Sequence, residues 1–382
     1  MNTLTKSGVS SFIKLIAASS ALTMIGSLPL FAQSSQSSQV AQQGTQGPEK
    51  PKKDKTEKKK AEEAAEFFTG TTPVAVTLTT NLHKIRGDKG DKGPWRDATL
   101  SYTGEDGKPV VVPIQIKTRG IWRKHNCDFP PVRFNISREK SKGTIFYGLD
   151  KPKLVSYCRN DDTYEQYVLE EYQLYRIYKM LTPISYNARL IQMTYADENG
   201  GKVDAKRAAI LLEEPELLAD RMGTKFMKEK GASPDFMEPK SNALVGVFEY
   251  LIGNTDFSIS ALHNIALLAQ PDGNVIPVPY DFDFSGVVNA RYATPDPKLS
   301  IDRVRDRLFR GYCGPTEEYS KVFDLLREKK DAIYALYQDD IGKMMRKDVV
   351  DQTLKYYDDF YKTINDPRAA NREIVKACIG GH

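Results

Sequence analysis

The sequence predicts an α+β fold in two lobes, a β-rich N-lobe with one inner helix over 67–214 and a mainly α C-lobe over 215–382. Three observations predict it. Apolar residues alternate in short runs as far as Tyr157, the mark of half-buried strands. Helical spacing then takes over from Asp161 to Met180. After Glu214 the pattern is mainly helical, interrupted by one hairpin.

The chain has 382 residues. Its start reads as an export signal: Lys6 and Lys14, then an apolar run from Leu15 to Phe31, with Ala32 as the small residue for cleavage. The run is close to the lower limit for a membrane span, so an uncleaved anchor is the rival reading. No Cys ends the run, so a bacterial lipid anchor is not supported, and no second run is long enough to cross a bilayer. Residues 33–66 are rich in Gln and Ser and then in Lys and Glu. They cannot bury enough apolar surface to offset chain entropy, which predicts a disordered tether, transiently helical at Thr56–Glu66. The formal charge of +5 loses two units with Lys6 and Lys14. The folded part is nearly neutral, which argues against a nucleic acid partner.

Four cysteines, Cys127, Cys158, Cys313 and Cys378, suggest disulfides in an exported chain. Three pairings are possible, and Cys127–Cys158 with Cys313–Cys378 keeps each bridge within one lobe. With no CxxC pair and four His, zinc is a poor fit.

The expected strands are Val74–Thr80, Ala98–Tyr102, Val110–Lys117, Val132–Ile136, Lys153–Tyr157, Arg189–Tyr195 and Arg207–Leu212. The Arg86–Asp88 triplet, RGD, reads as part of a charged loop. The helix capped by Asp161 or Asp162 carries Tyr164, Tyr167, Val168, Leu174, Tyr175 and Tyr178 on its apolar face, with Glu171 among them. A carboxylate facing a core needs a partner. Helices follow at 215–222 and 238–252. A hairpin of Asn264–Leu268 and Val275–Val278 ends in PYDFDFSG, and helical pattern resumes from Pro315.

Phosphoryl transfer needs cations on phosphates, carboxylates that hold a metal, and a carboxylate that orients the nucleophile. Each has a candidate. Lys153, with Lys151 as a fallback, lies on the strand before the helix, and Glu171 can hold it; otherwise Lys153 is a surface residue and Glu171 bonds a Tyr hydroxyl. Arg119 meets phosphate or caps its turn. Asp256 in GNTDFS is the candidate base, or one of two turn-forming residues with Asn254. Asn264 offers an amide oxygen to Mg²⁺. Asp281 and Asp283 stand two apart in YDFDF, so on an extended chain both point one way and repel unless a cation or a donor lies between them; otherwise one caps and the other is salt-bridged. This order of elements is the layout of a protein-kinase-like fold. No P-loop, GxGxxG, GxSxG or HExxH occurs, so a classical NTPase, a serine hydrolase and a zinc protease find no support.

The block GNTDFSISALHNIALL…VIPVPYDFDFSG resembles the CotH family of atypical kinases, in which an Asp turn precedes an Asn-led strand and a DxD at a hairpin end. RGIWRKHNCDFPPVRFNI, IFYGLDKPKLVSYCRND and ARLIQMTYAD…AAILLEE resemble that family's preceding segments, so the likeness spans about 110–290. Departures are Tyr280 and Phe257 where Trp is usual, and Arg133 where a Lys-rich run is typical. The resemblance implies an ATP-dependent kinase using Mg²⁺ or Mn²⁺, with Asp256 catalytic, Asp281 on the metal, Asn264 and Asp283 supporting, and Glu214 at the hinge beside the nucleotide. The acceptor would be a Ser or Thr hydroxyl on an exported protein, or a hydroxyl on a small molecule or glycan. The competing expectations are an inactive binding or structural module of the cell envelope, and transfer of AMP instead of phosphate.

Overall fold

The computed structural model describes residues 52–90, 93–200 and 202–380. The expected signal segment 1–32 and the stretch 33–51 lie outside them. Residues Lys52–Phe67 form helix α1. Ala61, Ala64 and Phe67 are buried, and Gly148 allows the approach: with φ +93°, a Cβ there would lie 2.6 Å from the Ala64 nitrogen. The expected tether therefore does not extend to Glu66, because three small or aromatic residues at helical spacing find a surface to cover.

Seven strands follow the alternation: β1 (Val74–Thr80), β2 (Arg96–Thr103), β3 (Pro109–Thr118), β4 (Val132–Asn135), β5 (Lys153–Val155), β6 (Ala188–Asp197) and β7 (Val203–Leu212). Between them lie α2 (Leu82–Gly87), α3 (Trp122–Asn126) and α4 (Asp162–Leu181). The strands close into a barrel in the order β1-β2-β3-β4-β5-β7-β6. Closure comes from β1 pairing parallel with β6, Val74 opposite Ile191 through Thr80 opposite Asp197. All the other pairings in the ring are antiparallel. A closed ring leaves no free edge. Its interior holds Leu78, Leu100, Val112, Ile116, Phe134 and Leu211, all at most 1 % exposed.

The RGD triplet is spent on this framework. Arg86 lies in α2 and pairs with Asp204, while Asp88 accepts from Arg96 Nη2 and Nε, at 2.8 and 2.9 Å.

The chain continues with α5 (Pro215–Met222), β8 (Lys225–Met227), α6 (Pro239–Ile252), β9 (Ile265–Ala269), β10 (Val275–Pro279), α7 (Thr316–Ala335), α8 (Lys347–Asn365) and α9 (Pro367–Ala370). The last strands form a sheet ordered β10-β9-β8. Pro277 and Pro279 are tolerated in β10 because it is an edge strand.

The two-lobed, kinase-like expectation is corrected by the closed barrel and by α4. Along β7, Ala209 and Leu211 face the barrel core, whereas Ala208, Ile210 and Leu212 face the other way. That outer face packs in one continuous core with α4 residues Val168, Leu174, Tyr175 and Tyr178, and with Phe248, Leu326, Tyr357 and Phe360 of α6, α7 and α8. Helix α4 is buried around most of its circumference, with every residue from Gln166 to Tyr175 at most 8 % exposed, so it is covered on both sides. Residues 52–380 belong to one compact unit.

Both favoured disulfides form, Cys127–Cys158 and Cys313–Cys378. Among the described residues no helix is long and apolar enough to cross a membrane. The two disulfides are the chemistry of an oxidising compartment and are consistent with export.

Candidate functional site

Glu171 and Tyr175 are neighbours on one face of α4, as an i, i+4 spacing requires. The Tyr175 hydroxyl donates to Glu171 Oε1 at 3.3 Å and accepts the backbone N–H of Asp281 at 2.9 Å. One tyrosine thus ties the inner helix to the end of β10. That end is sharply turned. The Tyr280 N–H donates to the Asn264 carbonyl at 3.0 Å, which carries the hairpin one step past the named strands. Asp281 then has φ +67° and Asn264 has φ +53°, a left-handed conformation that costs a non-glycine residue energy and collects at functional sites. The expected reason for Asp281 and Asp283 acting together was an extended chain; the structure brings them into one field by a turn instead.

Asp283 and Glu171 are buried, at 5 % and 1 % exposure. Burial, and then the charge of Asp281, pushes the Asp283 carboxyl up to about 7. Burial and both aspartates push Glu171 well above the carboxylate range. Facing them is Arg123, whose Nη1 lies 3.5 Å from Asp283 Oδ2. Burial opposes its charge, but Tyr292, Asp283, Glu171 and Asp281 outweigh burial and hold it protonated. The Tyr292 hydroxyl donates to Asp283 at 2.9 Å. Arg119 joins the same field and opposes the shift of Glu171; its buried Nε, like that of Arg123, has no hydrogen-bond partner. The Cys127–Cys158 bridge closes directly after α3, which carries Arg123.

Lys153 reaches this centre differently from the expectation. Among the described residues no ion pair joins it to Glu171. Its Nζ lies 4.1 Å from the centre of the Tyr280 ring, a cation–π contact. Burial, with Arg119 and Arg133 nearby, pulls its pKa down to about 7, and Asp281 resists. Glu171 instead bonds a Tyr hydroxyl. Lys151 points away, pairing with Asp150. Glu214 is engaged elsewhere too: its Oε1 accepts the backbone N–H groups of Asp150, at 3.2 Å, and Lys151.

Asp256 sits on the solvent side of the cluster. Its Oδ1 lies 2.9 Å from His263 Nε2, and this bond is the main reason that the His263 pKa is raised. Asn264 Nδ2 donates to the Asp256 carbonyl at 2.7 Å and to its Oδ2 at 3.2 Å. Asn254 Oδ1 accepts the Asp256 N–H at 3.0 Å. Beneath the turn lies Glu249, 1 % exposed, with neither carboxyl oxygen hydrogen-bonded. Its burial holds the carboxyl well above the usual range; Asn254 opposes the shift, and Asp256 adds to it.

The sequence reading named Asp256, Asn264, Asp281, Asp283, Glu171, Arg119 and Lys153, and these come together. It gave no site role to Arg123, Tyr175, Tyr280, Tyr292 and His263. Arg123 and His263 flank residues already singled out, four after Arg119 and one before Asn264. Tyr292 carried no signal, because its place depends on how the loop after Asp283 folds back.

Among the described residues no group of three or more His, Cys, Asp and Glu is arranged to hold a metal ion by itself. Mg²⁺ is commonly held by one or two carboxylates with water and substrate phosphate completing its shell. Asp281 and Asp283 supply that number, and their mutual repulsion is what a cation relieves. No family model matches the chain, and no curated protein matches it.

Proposed function

We propose that this centre binds a nucleoside triphosphate with Mg²⁺ or Mn²⁺ and transfers its terminal phosphoryl group to a hydroxyl. One observation carries the reading: buried carboxylates that repel one another, Asp283 and Glu171 with Asp281, share a field with Arg119, Arg123 and Lys153. Phosphoryl transfer asks for this mixture, since the phosphates need cations and the metal needs carboxylates. Asp281 and Asp283 would hold the cation, joined by the Asn264 amide oxygen. The cation supplies charge neutralisation on the phosphates. Arg119 and Arg123 supply positive charge to the phosphates from the same field. Asp256 accepts the proton of the acceptor hydroxyl, steadied by His263 and Asn264. Glu214, committed to the backbone of residues 150 and 151, has no part in this. Export to an oxidising compartment fits the two disulfides.

The test is thermal unfolding of the protein with ATP plus Mg²⁺ or Mn²⁺, beside Asp281→Ala. A ligand at about 100 times its Kd adds roughly 2.7 kcal/mol. A rise in Tm that disappears in the variant supports the site. No response to any nucleotide and metal would sink the reading and favour a binding or structural module without catalysis. Transfer of label from α- rather than γ-labelled ATP would mean that AMP is the group moved.

A further inference from the structure

A cavity of about 270 Å³ opens beside the Asp256–His263 pair. It is small beside the roughly 300–1,000 Å³ of pockets for drug-sized ligands. Phe257 and Phe284 give it flat apolar walls, and Thr255, Ser258, Asp296 and Arg310 give it polar ones. The Arg310 guanidinium bonds the Thr255 carbonyl and lies 5.9 Å from the centre of the Phe257 ring. The aromatic wall continues outward. Phe284 meets Trp122 edge-on at 6.4 Å, and Trp122 stacks on Tyr292 at 5.1 Å. Trp122 remains 41 % exposed and Ile121, beside it, 83 %.

We propose that the acceptor is a neutral sugar, one ring in the cavity against Phe284 and the next on Trp122, with its hydroxyls held by Asp296 and Arg310. This rests on the phosphoryl-transfer reading and names its substrate class. A pyranose has an apolar C–H face, which suits an aromatic wall, and a rim of hydroxyls that each give and accept hydrogen bonds. The cavity answers both needs: carboxylate acceptors, a guanidinium donor and hydroxyls that do either. A peptide that binds by adding a strand needs a strand edge. All of the cavity's lining lies outside the named strands and helices. In the transfer, the sugar oxygen bonds to the γ-phosphorus of ATP as the bond from that phosphorus to the β–γ bridging oxygen breaks. The hydroxyl proton passes to Asp256, and ADP leaves. The product is a sugar phosphate monoester.

Two measurements test this. The chain has two tryptophans, Trp95 and Trp122. Titration with cellobiose or diacetylchitobiose, without nucleotide, should change tryptophan fluorescence saturably, and Trp122→Phe should abolish the change. With γ-labelled ATP and Mn²⁺, label should pass to one of these sugars and not to casein. Asp296→Asn should raise the sugar's KM about tenfold, the loss expected for one charge-assisted hydrogen bond. Label on casein alone, or an unchanged KM in Asp296→Asn, overturns the proposal. So does a protein that ATP and Mn²⁺ stabilise but that neither binds nor labels a sugar, an outcome that leaves phosphoryl transfer standing. No nucleotide response at all overturns phosphoryl transfer, and the acceptor role falls with it.

Discussion

Two buried acidic regions of this molecule lie at similar depth and are treated in opposite ways. Glu213, at the end of β7, is 1 % exposed. It accepts from the Asn187 N–H at 2.9 Å, Asn187 Nδ2 at 3.0 Å, and Arg221 Nε and Nη2 at 3.1 and 3.0 Å. Every lone pair in reach has a donor. Around Asp283 and Glu171 the carboxylates crowd together, and two guanidinium Nε donors have no partner. A buried charge matched by donors fixes a structure, whereas crowded like charges store energy that a ligand can release. This difference is what the proposed binding role of the second region rests on.

The strongest way to break this comparison is to remove the satisfied carboxylate. Glu213→Ala takes the carboxylate from Arg221, leaving it the Pro183 and Ser185 carbonyls, and frees two Asn187 donors. Breaking a buried pair from one side costs about 3–5 kcal/mol. Urea unfolding should show that loss, with the response to ATP and Mn²⁺ kept in whatever fraction remains folded. A loss below about 1 kcal/mol would mean that the bracket is not structural and that satisfaction does not separate the two regions.

A third buried carboxyl sharpens the contrast through pH. Glu170 faces Thr353, which donates to its Oε1, with Arg305 and Arg346 the charges that act on it. Burial pushes its pKa up from 4.5 to about 8, against those three. The sign follows from proton uptake. Between those values the folded state holds a proton that the unfolded state has lost, so stability is greatest below the lower value and declines as pH rises through the higher. Asp283 and Glu171 act in the same direction, and Lys153 opposes them only above about pH 7, so the parent protein should lose stability from about pH 5 to pH 7. Glu170→Gln removes one titrating group and should flatten the slope of the urea midpoint against pH. An unchanged slope would show that Glu170 is ionised throughout.

Much of this was readable from sequence, and what was not has a common cause. Alternation located the barrel strands, and helical spacing located α4, because both signals are local. Asp256, Asn264, Asp281 and Asp283 were legible because a single hairpin delivers them within 28 residues. Closure of the barrel was not, since β1 and β6 pair across more than a hundred residues of chain. The Lys153–Glu171 pair failed for a similar reason. Both residues reach the centre, but Tyr175 and Tyr280 stand where each would have needed the other, and the packing of α4 on two sides decides that. The packing of helix α1, expected only as a transient helix over Thr56–Glu66, was hidden by composition, because its many Lys and Glu mask Ala61, Ala64 and Phe67.

The smallest expected change in stability is the most decisive for function. Asp283→Asn keeps an acceptor for Tyr292 and removes one negative charge from a region that has too many. It gives up the Arg123 pair at 3.5 Å, a long contact, and relieves the repulsion from Glu171 and Asp281. These terms oppose each other, so stability should move by no more than about 1 kcal/mol, in either direction. Response to ATP and Mn²⁺ should vanish, because the amide cannot replace the charge that the cation needs. The pair of variants then separates the two regions: Glu213→Ala loses stability and keeps binding, while Asp283→Asn keeps stability and loses binding. If Asp283→Asn instead unfolded as readily as Glu213→Ala, the Asp283–Arg123–Tyr292 contact would be a structural bracket like the first. The proposed cation site would then lose one of its two carboxylates.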